Sequence, residues 1–190
     1  MHTMHRLAVL ALICATCVGG CTAPPITLSD SHNALHAPLG DDAADVVVLV
    51  FSSPECPIAN ALAPEFSRLH ARTRQGGGDF YLVHARRDVT PERARSHARD
   101  YQLSMPVLLD TEHDLVGALR ATVTPEGVVL RRDGNAWETV YQGRINDLYA
   151  SLGNRRDQAT QHWLREGIDA ALSGQQVQQV YRAPLGCFIE

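Results

Sequence analysis

Lysine is absent from this chain of 190 residues, so all 17 of its basic residues are arginines. They are scattered, and the net charge of −4 gives no basic balance of the kind a nucleic-acid binder carries. Long hydrophobic runs are scarce too. The stretch after Arg6, "LAVLALICATCVGG", is too short and too rich in small residues to make a comfortable membrane span. Gly76-Gly77-Gly78 lacks the strand-then-helix setting of a phosphate loop and reads as a flexible turn. Cysteine is sparse: Cys14, Cys17 and Cys21 crowd the N-terminus, which leaves Cys56 and Cys187 for the rest of the chain. In "SSPECPIAN", position 59 is Ala59, so no local C-x-x-C dithiol forms at Cys56. What remains is the composition of a soluble globular domain, 45% apolar and 20% charged, with chain enough for one core and an appendage.

Val18-Gly19-Gly20-Cys21 resembles the lipobox of bacterial lipoproteins. The resemblance implies a signal peptide over residues 1–20, lipidation at Cys21 and a weakly ordered tether over residues 21–44, which hold Pro24, Pro25, Pro38 and Gly40. A plain secretory signal cut nearby is the alternative. Cys14 and Cys17 have C-x-x-C spacing but fall in the segment that would be removed. Thr22, rather than Asp, follows the lipobox cysteine, as in lipoproteins sorted to the outer membrane. The implied location is the cell envelope, facing the periplasm, with membrane contact through the lipid anchor only. In that oxidising compartment two surviving thiols belong in one discussion.

The body of the chain alternates strand and helix. "DVVVLVFSS" (45–53) is a β-branched run fit for a strand buried on both faces. The segment 56–72 has apolar residues near helical spacing and is interrupted by Pro64. "DFYLVHA" (79–85) reads as a strand. Residues 90–101 read as a helix, with Thr90 as N-cap and Pro91 in the first position. A short strand (105–110), a short helix (112–121) and a hairpin (126–144) turning at Asp133-Gly134 follow. An amphipathic helix over 155–174 closes a domain spanning 45–174, with Trp163, Leu164, Ile168, Ala171 and Leu172 on one stripe. Residues 175–190 form a tail carrying Cys187. Val177 and Val180 in it are candidates to lie along the domain. The fold class is α/β, a sandwich with a mixed sheet between helices.

Cys56 stands at a strand-to-helix junction, where unpaired amides and the helix dipole favour a thiolate, the form that attacks disulfides and peroxides. Pro57 suits the first helical turn. Ala63-Pro64 lies where a proline eight residues after the reactive cysteine kinks the helix in thioredoxins. Val123-Thr124-Pro125-Glu126, just before the hairpin, matches the place of their cis-proline, an X-Pro bond that exposes backbone for docking a partner strand. On these residues, and on "HARDYQLSMPVLLD", "ATVTPEGVVL" and "YQGRINDLY", the chain resembles the thioredoxin-like superfamily. Within it, the chain is most similar to the exported peroxiredoxin-like "redoxin" branch of the alkyl hydroperoxide reductase/thiol-specific antioxidant type.

The resemblance implies a three-layer thioredoxin-like sandwich and thiol–disulfide exchange, with Cys56 attacking and Cys187 as a distant resolving thiol. Pro57, Thr124 and Pro125 would shape the docking surface. Ser53, placed as the Ser or Thr of a peroxiredoxin site, and Arg120 would support the thiolate, although Leu49 stands where that site expects a proline. Partners would be a protein thiol or disulfide, or a peroxide, together with an electron donor. Two alternatives stay open: a thiol peroxidase working through a Cys56 sulfenic acid, and a non-catalytic binding lipoprotein with a structural Cys56–Cys187 bridge. No cofactor is called for. Among the nine histidines only His84, at a strand end, stands near the expected site; a soft-metal set of His84, Cys56 and Cys187 would have to be drawn from three distant segments, and no metal site is expected.

Overall fold

The computed structural model describes residues 25–190. The expected signal segment, with Cys14, Cys17 and Cys21, lies outside the described residues.

Asp30 organises the first described segment. Its carboxylate accepts the backbone N–H groups of His32 and Ala34 at 2.8 and 2.9 Å, and its second oxygen meets the His36 ring at 3.0 Å. Around this anchor β1 (Leu28–Ser29) and β2 (Leu35–His36) pair antiparallel, and the Ser31 N–H donates to the carbonyl of Val107 at 2.9 Å. Leu28 is buried. Residues 25–44 are therefore packed on the domain, which corrects the expectation of a weakly ordered lead-in. One carboxylate holding a turn together leaves no hydrophobic period in the sequence.

The β-branched run becomes β3 (Val46–Ser52), buried at every residue. Cys56 caps the five-residue α1 (Pro57–Ala61), and the chain breaks at Leu62 before α2 (Ala63–Gln75). Pro64 then sits in the first turn of α2, where its missing N–H removes no helical bond. Next come β4 (Asp79–His84) and α3 (Pro91–Asp100), whose cap Thr90 accepts the Arg93 N–H at 3.3 Å. They are followed by β5 (Val107–Leu109), α4 (Asp114–Leu119) and β6 (Val123–Thr124). The hairpin is β7 (Glu126–Asp133) and β8 (Ala136–Gly143), turning at Gly134 with φ 59°.

The expected helix over 155–174 is shorter than its sequence suggested. β9 (Tyr149–Ser151) and β10 (Asn154–Arg155) make a small hairpin, and α5 spans only Trp163–Leu172. The cause is Asp147, whose carboxylate takes the N–H groups of Thr160 and Gln161 at 2.7 and 2.8 Å and draws the preceding loop inward. In the tail, β11 (Tyr181–Arg182) and β12 (Cys187–Phe188) complete the elements. Val177 packs against the core, but Val180 is half exposed and contributes its carbonyl to Gln142 instead.

Six strands form one mixed sheet in the order β11-β8-β7-β3-β4-β5. β3 runs parallel to β4 and antiparallel to β7, as crossover helices and a tight hairpin respectively require. Strand alternation sends Val46, Val48 and Val50 to a core with Phe66, Leu69, Leu164 and Ile168, and Val47, Leu49 and Phe51 to one with Leu28, Leu108 and Leu115. Helices α2 and α5 thus cover one face. α4 and the lead-in cover the other, a three-layer α/β sandwich. Cys56 lies where β3 delivers the chain to α1, at one end of the sheet.

Candidate active site

Cys56 has extended backbone (φ −81°, ψ 109°) that turns the chain from β3 into α1; its N–H donates to the carbonyl of Ser53 at 3.1 Å. It is 1% exposed. Asn60 supports this turn from within α1, its side-chain amide donating to the Pro54 carbonyl at 2.8 Å while its oxygen meets the His97 ring at 2.8 Å.

Facing Cys56 is the chain before the hairpin. The Thr124-Pro125 peptide bond is cis, and the Thr124 carbonyl accepts the Cys56 thiol at 3.0 Å. β12 adds to β6 as an antiparallel strand, with Cys187 opposite Thr124 and Phe188 opposite Val123. That pairing brings the Cys187 thiol to 2.7 Å from the Cys56 sulfur across a sequence separation of 131 residues. Both cysteines are free thiols here. The Cys187 thiol is held well above the ordinary range, by burial first and then by its hydrogen bond to Cys56 and the charge Cys56 carries when ionised.

Of the remaining residues expected at the site, Thr124 and Pro125 are buried beside the sulfurs, and Pro57 is exposed at the first position of α1. Ser53 lines the pocket beside Cys56, but its hydroxyl is committed to Glu55 at 2.8 Å. Arg120 is a correction. It closes α4 in a left-handed conformation (φ 54°), lies exposed, and neither lines the pocket nor pairs with a described carboxylate. The helix ends there, so the side chain leaves toward solvent.

The arginine that does border the pocket is Arg86, tied to Asp88 at 2.8 Å and lying 3.6 Å from Glu55, which in turn is paired with Arg93. Neither residue carries a signal in the sequence: Arg86 follows the end of β4 as one of a pair of arginines, and Glu55 has only its adjacency to Cys56. Together with Ala85, Ile189 and Glu190, Arg86 and Glu55 enclose about 190 Å³ next to the two sulfurs. A larger cleft, about 610 Å³, lies away from the sulfurs between α5 and the glutamines of the tail.

His84 is fully buried behind the site, 5.0 Å from the His97 ring, and burial drives its pKa down to about 3. It does not join Cys56 and Cys187: among the described residues no group of three or more His, Cys, Asp or Glu side chains is placed to hold a metal.

The AhpC/TSA family model matches residues 19–134, more than half of the chain, a span that includes Cys56 and the cis Thr124-Pro125 bond but stops short of Cys187. No curated protein matches. Among solved structures, an uncharacterised conserved protein from Geobacillus kaustophilus superposes with a TM-score of 0.71 at 24% identity, covering 88% of this chain and 89% of its own. A hypothetical protein from Sinorhizobium meliloti 1021 gives 0.69 at 22%, covering 88% and 91%. A secreted disulfide oxidoreductase of Mycobacterium tuberculosis gives 0.52 at 20%, covering 78% and 95%. At these identities the structures speak for the fold, and that fold is thioredoxin-like. With the family model spanning the Cys56 turn and the cis-proline that faces it, the chain belongs to the AhpC/TSA family.

Proposed function

We propose that this protein is an exported thiol–disulfide oxidoreductase in which Cys56 attacks and Cys187 resolves. The observation that carries the reading is the 2.7 Å contact between two sulfurs so far apart in sequence. The Cys56 thiolate attacks one sulfur of a client disulfide, forming a mixed disulfide and expelling the client's other sulfur, which takes up a proton. While Cys56 is free, Cys187 keeps its proton because burial and Cys56 both oppose its ionisation. Once Cys56 is bonded to the client, its contribution to that opposition is gone. Cys187 can then lose its proton and attack Cys56, and the client leaves as a dithiol. The two electrons given to the client leave Cys56 and Cys187 as a disulfide, which a separate dithiol donor must reduce.

Replacing Cys187 with Ser removes the resolving step. Client proteins are then expected to accumulate as mixed disulfides on Cys56, visible as reducible adducts on non-reducing gels; a variant that traps no more than a Cys56→Ser control would sink the mechanism. The family and the small pocket beside the sulfurs also support a thiol peroxidase, in which peroxide oxidises Cys56 to a sulfenic acid that Cys187 condenses to a disulfide. Strong sulfenic-acid labelling of the Cys187→Ser protein after peroxide, with no client adducts, would favour that reading.

The lipid anchor rests on the Val18-Gly19-Gly20-Cys21 motif, with residues 1–20 as the removed signal. Among the described residues no helix is long and apolar enough to cross a membrane. Incorporation of a labelled fatty acid that disappears in a Cys21→Ala variant tests the anchor.

A further inference from the structure

For Cys56 to attack a client sulfur, that sulfur must come to where the Cys187 sulfur now stands. A sulfur delivered on a polypeptide brings its backbone with it, and beside β6 there is room for one extended strand, already filled by the tail. The client must displace this segment and inherit its constraints. Those constraints are specific. Cys187 pairs with Thr124 and Phe188 with Val123, and the Ile189 N–H donates to the Thr122 carbonyl at 3.1 Å.

Immediately before the cysteine, a Cβ on Gly186 would lie 1.9 Å from the Thr124 carbonyl oxygen and 2.6 Å from its carbon. Both are backbone atoms beside the cis bond and cannot swing away, so only glycine fits that position. One residue earlier, Leu185 lines a small cavity together with Ile58, Leu62 and Pro125. After the cysteine, Phe188 is 82% exposed and unconstrained, while Ile189 packs on the core beneath α4.

We propose that the β6 edge is a docking site for an extended client strand whose reactive cysteine directly follows glycine, flanked two residues away on each side by apolar side chains. Residues 185–189 are the resident copy of that strand. The proposal deepens the exchange reading above and rests on it. The tail is then resolver and competitor at once: its tether keeps it near the site, and a client enters only while β12 is lifted from β6.

The test uses the full chain with Cys14, Cys17, Cys21 and Cys187 replaced by Ser, so that Cys56 is the sole thiol. Two peptides, Ala-Pro-Leu-Gly-Cys-Phe-Ile-Glu and the same sequence with Val for Gly, are each activated as a mixed disulfide with 5-thio-2-nitrobenzoate. Attack by the Cys56 thiolate forms the Cys56–peptide disulfide and releases the coloured thiolate, one for one. The glycine peptide is expected to react at least about tenfold faster than the valine peptide, since the valine form must deform the Thr124 backbone. Adding Gly186→Val to the same chain should unseat the tail and raise the rate with both the glycine peptide and a small symmetric aromatic disulfide, 5,5′-dithiobis(2-nitrobenzoate), which releases the same coloured thiolate.

Equal rates for the two peptides, or no acceleration by Gly186→Val, would overturn the docking rule. If neither the peptides nor the small disulfide react at Cys56, the exchange reading itself has failed. Wild-type protein recovered as a dimer bridged between Cys56 of one copy and Cys187 of another would give the strand site to a second copy and overturn its assignment to a separate client.

Discussion

His84 ends β4 beside Ser52 of β3, and neither its ring nitrogens nor the Ser52 hydroxyl finds a partner among the described residues. Removal from water disfavours its charged form most, and repulsion from His97 and Arg93 adds to this, so its pKa drops from the ordinary 6.5 to about 3. The sign of the consequence is fixed. Between those values the unfolded chain binds a proton that the folded chain refuses, so the stability is fully present above pH 6.5 and is lost as pH falls toward 3. The slope approaches about 1.4 kcal/mol per pH unit. His84→Phe, which keeps the ring and loses the titration, should therefore show an unfolding free energy that falls less between pH 7 and pH 4.5, by about 2–3 kcal/mol. Urea midpoints at the two pH values measure it. Parallel losses in both proteins would mean that His84 is not the group that titrates. Cys187 belongs to the same scale: burial raises its thiol first, and the hydrogen bond and charge of Cys56 add to that, so only the smaller part of the shift depends on the state of Cys56.

At the scale of elements, α5 reaches the sheet through glycine. Gly167 lies over Tyr141, where a Cβ would come within 2.6 Å of the tyrosine Cβ, and Gly127 of β7 lies under Leu164, with 2.6 Å to a leucine methyl. The two contacts differ in what can yield. Leu164 offers the far end of a flexible side chain. Tyr141 is fixed at its root by β8 and at its tip by a 2.6 Å hydrogen bond from its hydroxyl to the Arg144 carbonyl. Gly167→Ala should cost about 1–3 kcal/mol, overriding the roughly 1 kcal/mol by which alanine favours a helix. Gly127→Ala should cost less. Urea unfolding of the two variants ranks them, and the opposite order would refute the packing argument. Elements of this kind were largely legible: β3, α2, β4, α3 and the hairpin follow from apolar period, Thr90 and Asp133-Gly134. What was not legible was built by single carboxylates reaching across the chain. Asp30 folds the lead-in and Asp147 shortens α5, and an anchor to a distant backbone amide has no period to read.

For the molecule as a whole, the site joins the turn after β3 to the tail. The Cys56 turn and the cis-proline could be read locally, because Ala63-Pro64 and Thr124-Pro125 are short signals. The approach of Cys187 had to come from counting thiols and from resemblance, since nothing in "PLGCFIE" announces a strand partner. Arg120 was misplaced for a related reason: where a guanidinium points depends on how its helix ends, and α4 ends in a left-handed residue. A bond between the two sulfurs would close a loop across 131 positions. In the chain-entropy picture that restricts the unfolded ensemble by about 5 kcal/mol, an upper figure. For a chain of this size each kcal/mol moves the melting temperature by about 2–4 °C, so oxidised protein should melt about 10–20 °C above reduced protein at most. The Cys56→Ser variant should show no such difference. The same experiment, run in thiol buffers of graded potential, separates a working pair from a permanent bridge. A pair that exchanges with clients should switch between its two melting temperatures at a potential in the range of known exchangers, above about −300 mV, whereas a structural bridge should hold the higher value below it. Identical melting of oxidised and reduced wild type would mean that Cys56 and Cys187 do not bond in solution. Cys56 would then have to pass its mixed disulfides to a thiol from outside the chain.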